Sequence, residues 1–188
     1  MAESNKNMAT EGLTGQIGNF VFRRRRADDK ILVSHHPSAH SMPPTAIQEK
    51  NMSKFQEAVI YGKSILADAA NKAAYKDKAH AGESAFNVAV ADYFHAPYIT
   101  EIDVTQYTGA VGSTITVGAT DDFEVAKVHV HIANGDGTVV EDGDAVKNAD
   151  GLHWVFTATQ NNASTTGDKI TVTAYDRPGN ETGQDKVL

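Results

Sequence analysis

Two periodicities divide the chain. Met52, Phe55, Val59, Gly62 and Leu66 recur at steps of three and four, which lays one apolar stripe along a helix. Thr45 and Gln48 stand just ahead of that stripe with the spacing of a capping box, so the helix is expected to open at Thr45. A second, shorter helix rich in Ala and Lys is expected from about Asp68 to Ala79, with Gly82 as its break. Ser84 then caps a third, from Ala85 to about His95, with Phe86, Ala89, Val90 and Tyr93 on one side and Pro97 as the stop. After Pro97 the period becomes two. Ile102/Val104, Ile115/Val117/Ala119, Val128/Val130/Ile132, Leu152/Trp154/Phe156/Ala158 and Ile170/Val172/Ala174 each alternate with polar residues. Turn residues separate them, at Gly109 to Gly112, Asp121-Asp122, Asn134 to Gly137, Asp150-Gly151 and Arg177 to Asn180. Short strands with one buried face, broken at regular intervals, predict an antiparallel sandwich.

The segment ahead of the helices is different again. Residues 1 to about 14 are polar and read as a flexible arm. Gly15 to Arg23 and Lys30 to Ser34 are β-prone runs on either side of Ala27-Asp28-Asp29, which predicts a hairpin. An isolated hairpin is marginal in water and needs a helix, a sheet or another subunit to lie against. His35 to Pro44 is a proline-punctuated connector. The expected fold is therefore α+β. A hairpin and about three helices occupy residues 1–97, and an antiparallel sandwich occupies residues 98–188.

Charge sharpens the same boundary. The 188-residue chain carries a formal net charge of −7, but residues 1–97 contribute +2 and residues 98–188 contribute −9. The acidic half would repel phosphate, which disfavours nucleic acid and anionic membrane surfaces as its partners. Hydrophobic residues make up 40% of the chain, enough for a packed core and too many for a disordered tail. The absence of cysteine excludes disulfide frameworks, thiolate metal sites and Cys nucleophiles. No apolar run approaches the length of about eighteen residues that spans a bilayer. The N-terminus lacks the apolar stretch of a secretory signal, from which synthesis without a conventional export address is expected.

The succession "TITVGATDDFEVAKVHVHI", "GTVVEDGDAV", "LHWVFTAT" and "KITVTAYDRPGNET" resembles bacterial Ig-like modules of adhesins and phage structural proteins, over about residues 99–187. The most specific piece is Ala174-Tyr-Asp-Arg-Pro-Gly-Asn180, similar to the "A-x-D-x-x-G-N" ending of the penultimate strand. The resemblance implies an Ig-like sandwich of the disulfide-free type, with Trp154 as a core aromatic and no general active site. Such modules serve as spacers, binders and assembly units. The first half is similar to uncharacterised bacterial proteins with a "G-x-I-G-x-x-V-F-R" start and a "P-T-x-x-Q" helix opening, which supports treating hairpin and first helix as one unit.

Candidate chemistry is sparse. Arg23, Arg24, Arg25 and Arg26 form the most conspicuous run, with three readings open. It could be a charged strand that discourages edge pairing, a phosphate-binding patch, or a surface that meets the acidic half of a neighbouring copy. On a strand alternate arginines face opposite ways, and Asp28 and Asp29 follow at once. His129 and His131 sit two apart, so both face outward opposite Val128, Val130 and Ile132; with His153 they are the minority metal candidates, expected without carboxylates beside them. Acidic turns at Asp121-Asp122, Asp136, Asp142/Asp144 and Asp176 raise calcium, against which stands the missing EF-hand spacing. No nucleophile elbow, Walker loop, dinucleotide fingerprint or H-E-x-x-H occurs, so no enzyme and no cofactor are expected.

The functional expectation is a non-enzymatic structural protein, a filament or virion-type assembly, that associates with its own copies through the N-terminal strands and helices. Ile17, Phe20, Phe22, Ile31 and Val33 would supply apolar contacts and Arg23 to Arg26 electrostatic register, with the Ig-like domain displayed outward. No nucleic acid and no membrane insertion are expected, and the location would be a virion or an extracellular assembly. The alternative is a surface adhesin or carbohydrate-binding module that uses Tyr98, Tyr107 or Tyr175 on a concave face.

Overall fold

A computed structural model describes residues 2–4, 12–25, 28–38 and 43–188. The chain is mixed α+β, with an N-terminal sheet, three helices and a two-sheet sandwich.

The predicted hairpin is part of a larger sheet. β1 (Ala2–Ser4), β2 (Gly15–Ile17), β3 (Phe20–Arg24) and β4 (Ile31–His35) pair antiparallel in the order β1-β4-β3-β2. The expected single run from Gly15 to Arg23 turns back on itself at Gly18-Asn19. Gly18 takes φ 58°, the left-handed conformation that a two-residue hairpin turn requires and glycine accepts without strain. The start of the expected flexible arm is likewise a strand, Ala2–Ser4, which pairs with Ile31 to Val33.

The three helices open and close where capping chemistry placed them. α1 (Ala46–Ile65) begins with the capping box: Gln48 N–H donates to Thr45 Oγ1 at 3.3 Å and Thr45 N–H to Gln48 Oε1 at 2.8 Å. α2 (Ala69–Lys78) is capped by Asp68 and α3 (Ala85–Phe94) by Ser84. α3 runs antiparallel to α1, with Phe86 and Val90 beside Gly62 and Phe94 stacked 6.5 Å from Phe55. Gly62 is what lets the helices come this close, since a methyl there would meet the Phe86 ring at 3.1 Å. The expected apolar stripe is covered only along its C-terminal half. Gly62 is buried and Val59 and Leu66 are half-buried, whereas Met52 and Phe55 are exposed because α3 ends at their level.

The sandwich stacks β5 (Tyr98–Asp103), β6 (Thr114–Thr120), β10 (His153–Thr157) and β9 (Val146–Lys147), in the order β5-β6-β10-β9, against a second sheet. That sheet is β12 (Glu181–Val187), β11 (Lys169–Asp176), β7 (Val125–Ala133) and β8 (Val139–Asp144), in the order β12-β11-β7-β8. The alternating sets interdigitate as one core that includes Ile115, Val117, Val128, Val130, Ile132, Trp154, Phe156, Ile170 and Val172. Leu152, expected inside, is exposed just ahead of β10. β8, β9 and β12 carry no clear apolar alternation because they are short or lie at the margin of the core, where most of their side chains stay exposed.

Helices and sandwich share a junction. The Tyr75 ring of α2 stacks on Phe123, in the β6–β7 turn, with centroids 3.9 Å apart. Asn180, after β11, donates from Nδ2 to the carbonyls of Tyr93 and His95 at 3.2 and 3.1 Å. Asp176 accepts the Gly179 and Asn180 amides at 2.7 and 2.6 Å, so the closing Asp-Arg-Pro-Gly-Asn turn is shaped to hold the end of α3. Among the described residues no helix is long and apolar enough to cross a membrane.

Candidate functional site

Strand register decides what the N-terminal sheet presents. Ile17 pairs with Phe20, and Phe22 with Val33, while Ile31 pairs with Arg24. Directly opposed residues share a face, and every second residue along a strand returns to it. Ile17, Phe20, Phe22, Ile31 and Val33 therefore lie on one face, with Arg24 and His35 at its ends. Ile17 and Phe20 are 57% and 50% exposed, Phe22 and Val33 half-buried, and Ile31 buried. Among the described residues the sheet makes no substantial contact with the helices or the sandwich, and none of its side chains joins either hydrophobic core.

The arginine run is split by the same register. Arg23 lies on the other face beside Leu32 and is exposed. Arg24 forks onto Asp29, and Arg25 onto Asp28, with Arg25 Nε 2.7 Å from Asp28 Oδ1. Those pairs hold the Asp28 carboxyl down at about 2 and that of Asp29 below its ordinary range. Two of the four guanidinium groups are thus engaged in closing their own turn, where an exposed pair adds little stability. Arg26 lies outside the described residues.

The histidines project outward, as period two requires, but they are not bare. His129 sits between two carboxylates of β8: Nδ1 is 2.6 Å from Asp144 Oδ1, and Nε2 is bonded to Asp142. Asp142 Oδ1 is also 3.7 Å from His131 Nδ1, and Lys127 reaches Asp144 at 3.1 Å. The acidic neighbours that the sequence left out come from β8, whose pairing aligns Asp144 with His129 and Asp142 with His131. A carboxylate on each ring nitrogen favours the imidazolium form of His129, and the Asp144 hydrogen bond raises its pKa. His153 lies on the other sheet, bonded to Asp150 at 2.6 Å and 3.5 Å from Glu101, so the three histidines do not converge. Among the described residues no group of three or more His, Asp or Glu side chains is arranged to hold a metal ion.

A pH dependence follows from His129. Its pKa is raised in the fold, so its stabilisation is complete below the unfolded value near 6.5 and fades as pH rises through the raised value. His129→Gln is expected to remove a stability loss of roughly 1 kcal/mol or less that sets in across the window above about pH 6.5. Thermal melts of both proteins across that window check this; parallel curves would refute it.

The acidic turns are engaged with their own backbone. Asp121 accepts the Phe123 and Glu124 amides at 3.1 and 3.0 Å, and Asp136 the Thr138 amide at 2.8 Å. Asp142 and Asp144, expected in a turn, are on strand β8. The tyrosines of the binding alternative are dispersed: Tyr98 is exposed on β5, Tyr107 is buried in the core, and Tyr175 is half-buried on the opposite sheet with Lys127 over its ring.

The polar cluster at the junction left only one trace in the sequence. Tyr61 and Tyr75 hydroxyls are 2.8 Å apart, and Tyr75 donates to Asp92 Oδ2 at 2.6 Å. Asp92 is 2% exposed, and burial pushes its carboxyl up to about 6, with Asp121 and Asp176 adding to the rise. Asp92 Oδ1, Asp121 Oδ1 and Arg177 Nη1 are buried without a hydrogen-bond partner. An acid on the apolar side of a helix was the one available signal, and Asp92 follows Ala89 and Val90 in that position. A cavity of about 290 Å³ lined by Lys78, His80, Glu83, Asp92, Asp122 and Phe123 opens beside it.

No protein-family model and no curated protein sequence matches the chain. Among solved structures, CopC from Methylosinus trichosporium OB3b is 13% identical, with a TM-score of 0.37 over 50% of this chain and 90% of its own. An engineered protein is 18% identical, with a TM-score of 0.35 over 58% of this chain and 29% of its own. Both superpositions are loose, and neither transfers a property to this chain.

Proposed function

We propose that this is a non-enzymatic structural protein whose copies associate through the N-terminal sheet and carry an Ig-like sandwich on the outside of the assembly. The observation that supports the reading most is the apolar face of Ile17, Phe20, Phe22, Ile31 and Val33 on a sheet with no second layer among the described residues. A single layer of three- to five-residue strands cannot bury enough surface to stand alone, and sheets gain stability by covering one face. A neighbouring copy supplies that cover. The Ig-like assignment is supported by the strand order: the first, second, sixth and fifth of the eight sandwich strands face the eighth, seventh, third and fourth, which is the ABED-over-GFC arrangement with β8 as one added strand beside the third. A filament or a virion accessory, assembled outside the cell or on a particle, suits a displayed acidic domain. The binding alternative keeps only Tyr98 as a large exposed aromatic of its three.

Deleting residues 1–34 is expected to leave a folded, monomeric protein of helices and sandwich, because no described core residue beyond the N-terminal sheet depends on that segment. Light scattering of the truncated and full chains reads this out. High-order assembly that survives the deletion would overturn the proposal.

A further inference from the structure

The β7–β8 turn, Asn134 to Thr138, holds the one Asn-Gly pair in the sequence. Asn followed by Gly is chemically weak for a steric reason: the Gly amide nitrogen can fold onto the Asn side-chain carbonyl carbon because no Cβ blocks the approach. That approach also needs the backbone N–H of the Gly and the side-chain amide of the Asn to be untied. Hydrogen bonding leaves both open here and closes the comparable pairs. Asn134 N–H donates to the Thr138 carbonyl and Gly137 N–H to the Asn134 carbonyl, each at 2.8 Å. Neither bond uses the Gly135 N–H or the Asn134 side chain, and among the described residues neither group has a hydrogen-bond partner. Gly135 is exposed and Asn134 half-buried, so water reaches the turn. Asp136-Gly137 is locked, since Asp136 accepts the Thr138 amide at 2.8 Å and Gly137 N–H is engaged by Asn134. Asp150-Gly151 is locked likewise: Asp150 accepts the Leu152 and His153 amides at 2.9 Å, and Gly151 N–H donates to Asn148 at 3.0 Å. Asp142, ahead of Gly143, is bonded to His129. The side chains of Asn148, Asn162 and Asn180 are held by Ala149, Asp168 and the end of α3.

We propose that Asn134-Gly135 is a self-modification site, at which the folded protein converts Asn134 to aspartate and isoaspartate without an enzyme. The Gly135 nitrogen gives its proton to hydroxide and bonds to Asn134 Cγ. The Cγ–Nδ2 bond breaks, and the departing nitrogen takes a proton from water and leaves as ammonia. Water then opens the five-membered imide at either carbonyl. Attack at Cγ gives aspartate at position 134. Attack at the backbone carbonyl gives isoaspartate, in which the main chain runs through the former side chain and is one carbon longer. Nothing is oxidised or reduced: one water is consumed, one ammonia is released and one negative charge is gained. Aspartate suits the first position of a β-turn and preserves this one. The isoaspartyl link lengthens a turn whose two bonds set how β8 lies on β7, so it loosens the strand that brings Asp142 and Asp144 to His129. The site does not depend on the assembly reading.

Peptide mapping tests it. Trypsin releases Val128 to Lys147 as one peptide in which Asn134 carries the single side-chain amide, so an amide lost from that peptide is assigned at once. The full chain is held folded at mildly alkaline pH and sampled by mass spectrometry over weeks. Asn134 is expected to convert at least about tenfold faster than Asn148, Asn162 or Asn180, a barrier difference of about 1.4 kcal/mol. Fragment ions are expected to show both the aspartyl and the isoaspartyl form, and Asn134→Ser to lack the new acidic species. A parallel sample unfolded in guanidinium chloride sets the rate that the local sequence allows, and the folded protein is expected to come within a few-fold of it. If Asn134 converts in the unfolded sample but persists in the folded one, the turn protects it and the proposal falls. It falls equally if Asn134 persists in both, or if Asn148, Asn162 or Asn180 converts first.

Discussion

Tyr75→Ala is expected to cost about 3–5 kcal/mol, the range for removing a large buried aromatic, and to loosen the helices from the sandwich. Tyr75 is fully buried and has two attachments. Its ring stacks on Phe123 at an interplanar angle of 15°, and its hydroxyl links Tyr61 to Asp92. The alanine variant removes the ring and leaves the Asp92 carboxyl with neither oxygen bonded, since Oδ1 already lacks a partner. Tyr75→Phe separates the two contributions. It keeps the stack and strands the polar partners, for about 1–3 kcal/mol. Chemical denaturation of the three proteins, followed by far-ultraviolet circular dichroism and by Trp154 fluorescence, gives the comparison. Helices that merely abut the sandwich would melt ahead of it in wild type, and neither variant would then move the Trp154 transition.

The second large effect is a pH dependence that runs opposite to ordinary acid denaturation. Asp92 has a folded value of about 6 against 3.8 for the free carboxyl. Between those values the folded state holds a proton that the unfolded state has released. Its contribution is therefore least unfavourable below about pH 4 and worsens as pH rises to about 6, levelling above that. The groups that face it are Tyr61 of α1, Tyr75 of α2, Asp121 in the β6–β7 turn, and Asp176 and Arg177 at the end of β11. Asp28 and Asp150, both held near 2, work in the reverse direction and lose their contribution as pH falls. The difference between wild type and Asp92→Asn isolates the junction. The variant is expected to gain on wild type by on the order of 2–3 kcal/mol between pH 4 and 7. A flat difference across that range would mean that Asp92 is solvated and the junction open.

Whether a feature could be read from the sequence depended on how local its cause was. Thr45, Gln48 and Ser84 cap helices through bonds to amides three residues away, so local chemistry located two of the helix starts, and Ala/Lys composition placed the second helix from about Asp68. The inward sets on β6, β7, β10 and β11 alternate because both sheets cover one face, and Val128, Val130, Ile132, Ile170 and Val172 are all fully buried. Leu152 broke the pattern because it sits in the turn before its strand. β8 and β12 went unmarked since both lie at the margin of the core, where few of their positions are buried and alternation is weak. That omission carried forward. Without β8 there were no carboxylates to set beside His129, and the histidine pair read as bare.

The apolar residues of the N-terminal segment were legible one by one, but their common face was not. A break at Gly18-Asn19 and the register of β3 on β4 had to be settled before Ile17, Phe20, Phe22, Ile31 and Val33 could be placed together, or Arg23 assigned to the other side. In the sequence Arg24 and Arg25 belonged to a basic run with three readings open and Asp28 and Asp29 next to it; the turn pairs them with those two carboxylates.

By itself, the sequence determined the period of each segment, its caps, its turns and the charge contrast at Pro97, because those follow from contacts within a few residues. Tertiary structure alone decided that the boundary at Pro97 is a packed seam, with Asn180 holding the end of α3 and Phe123 beneath Tyr75. It also decided that half of the α1 stripe stays in water. Burial is a property of pairs of surfaces, and residues distant in sequence meet only after the chain has folded.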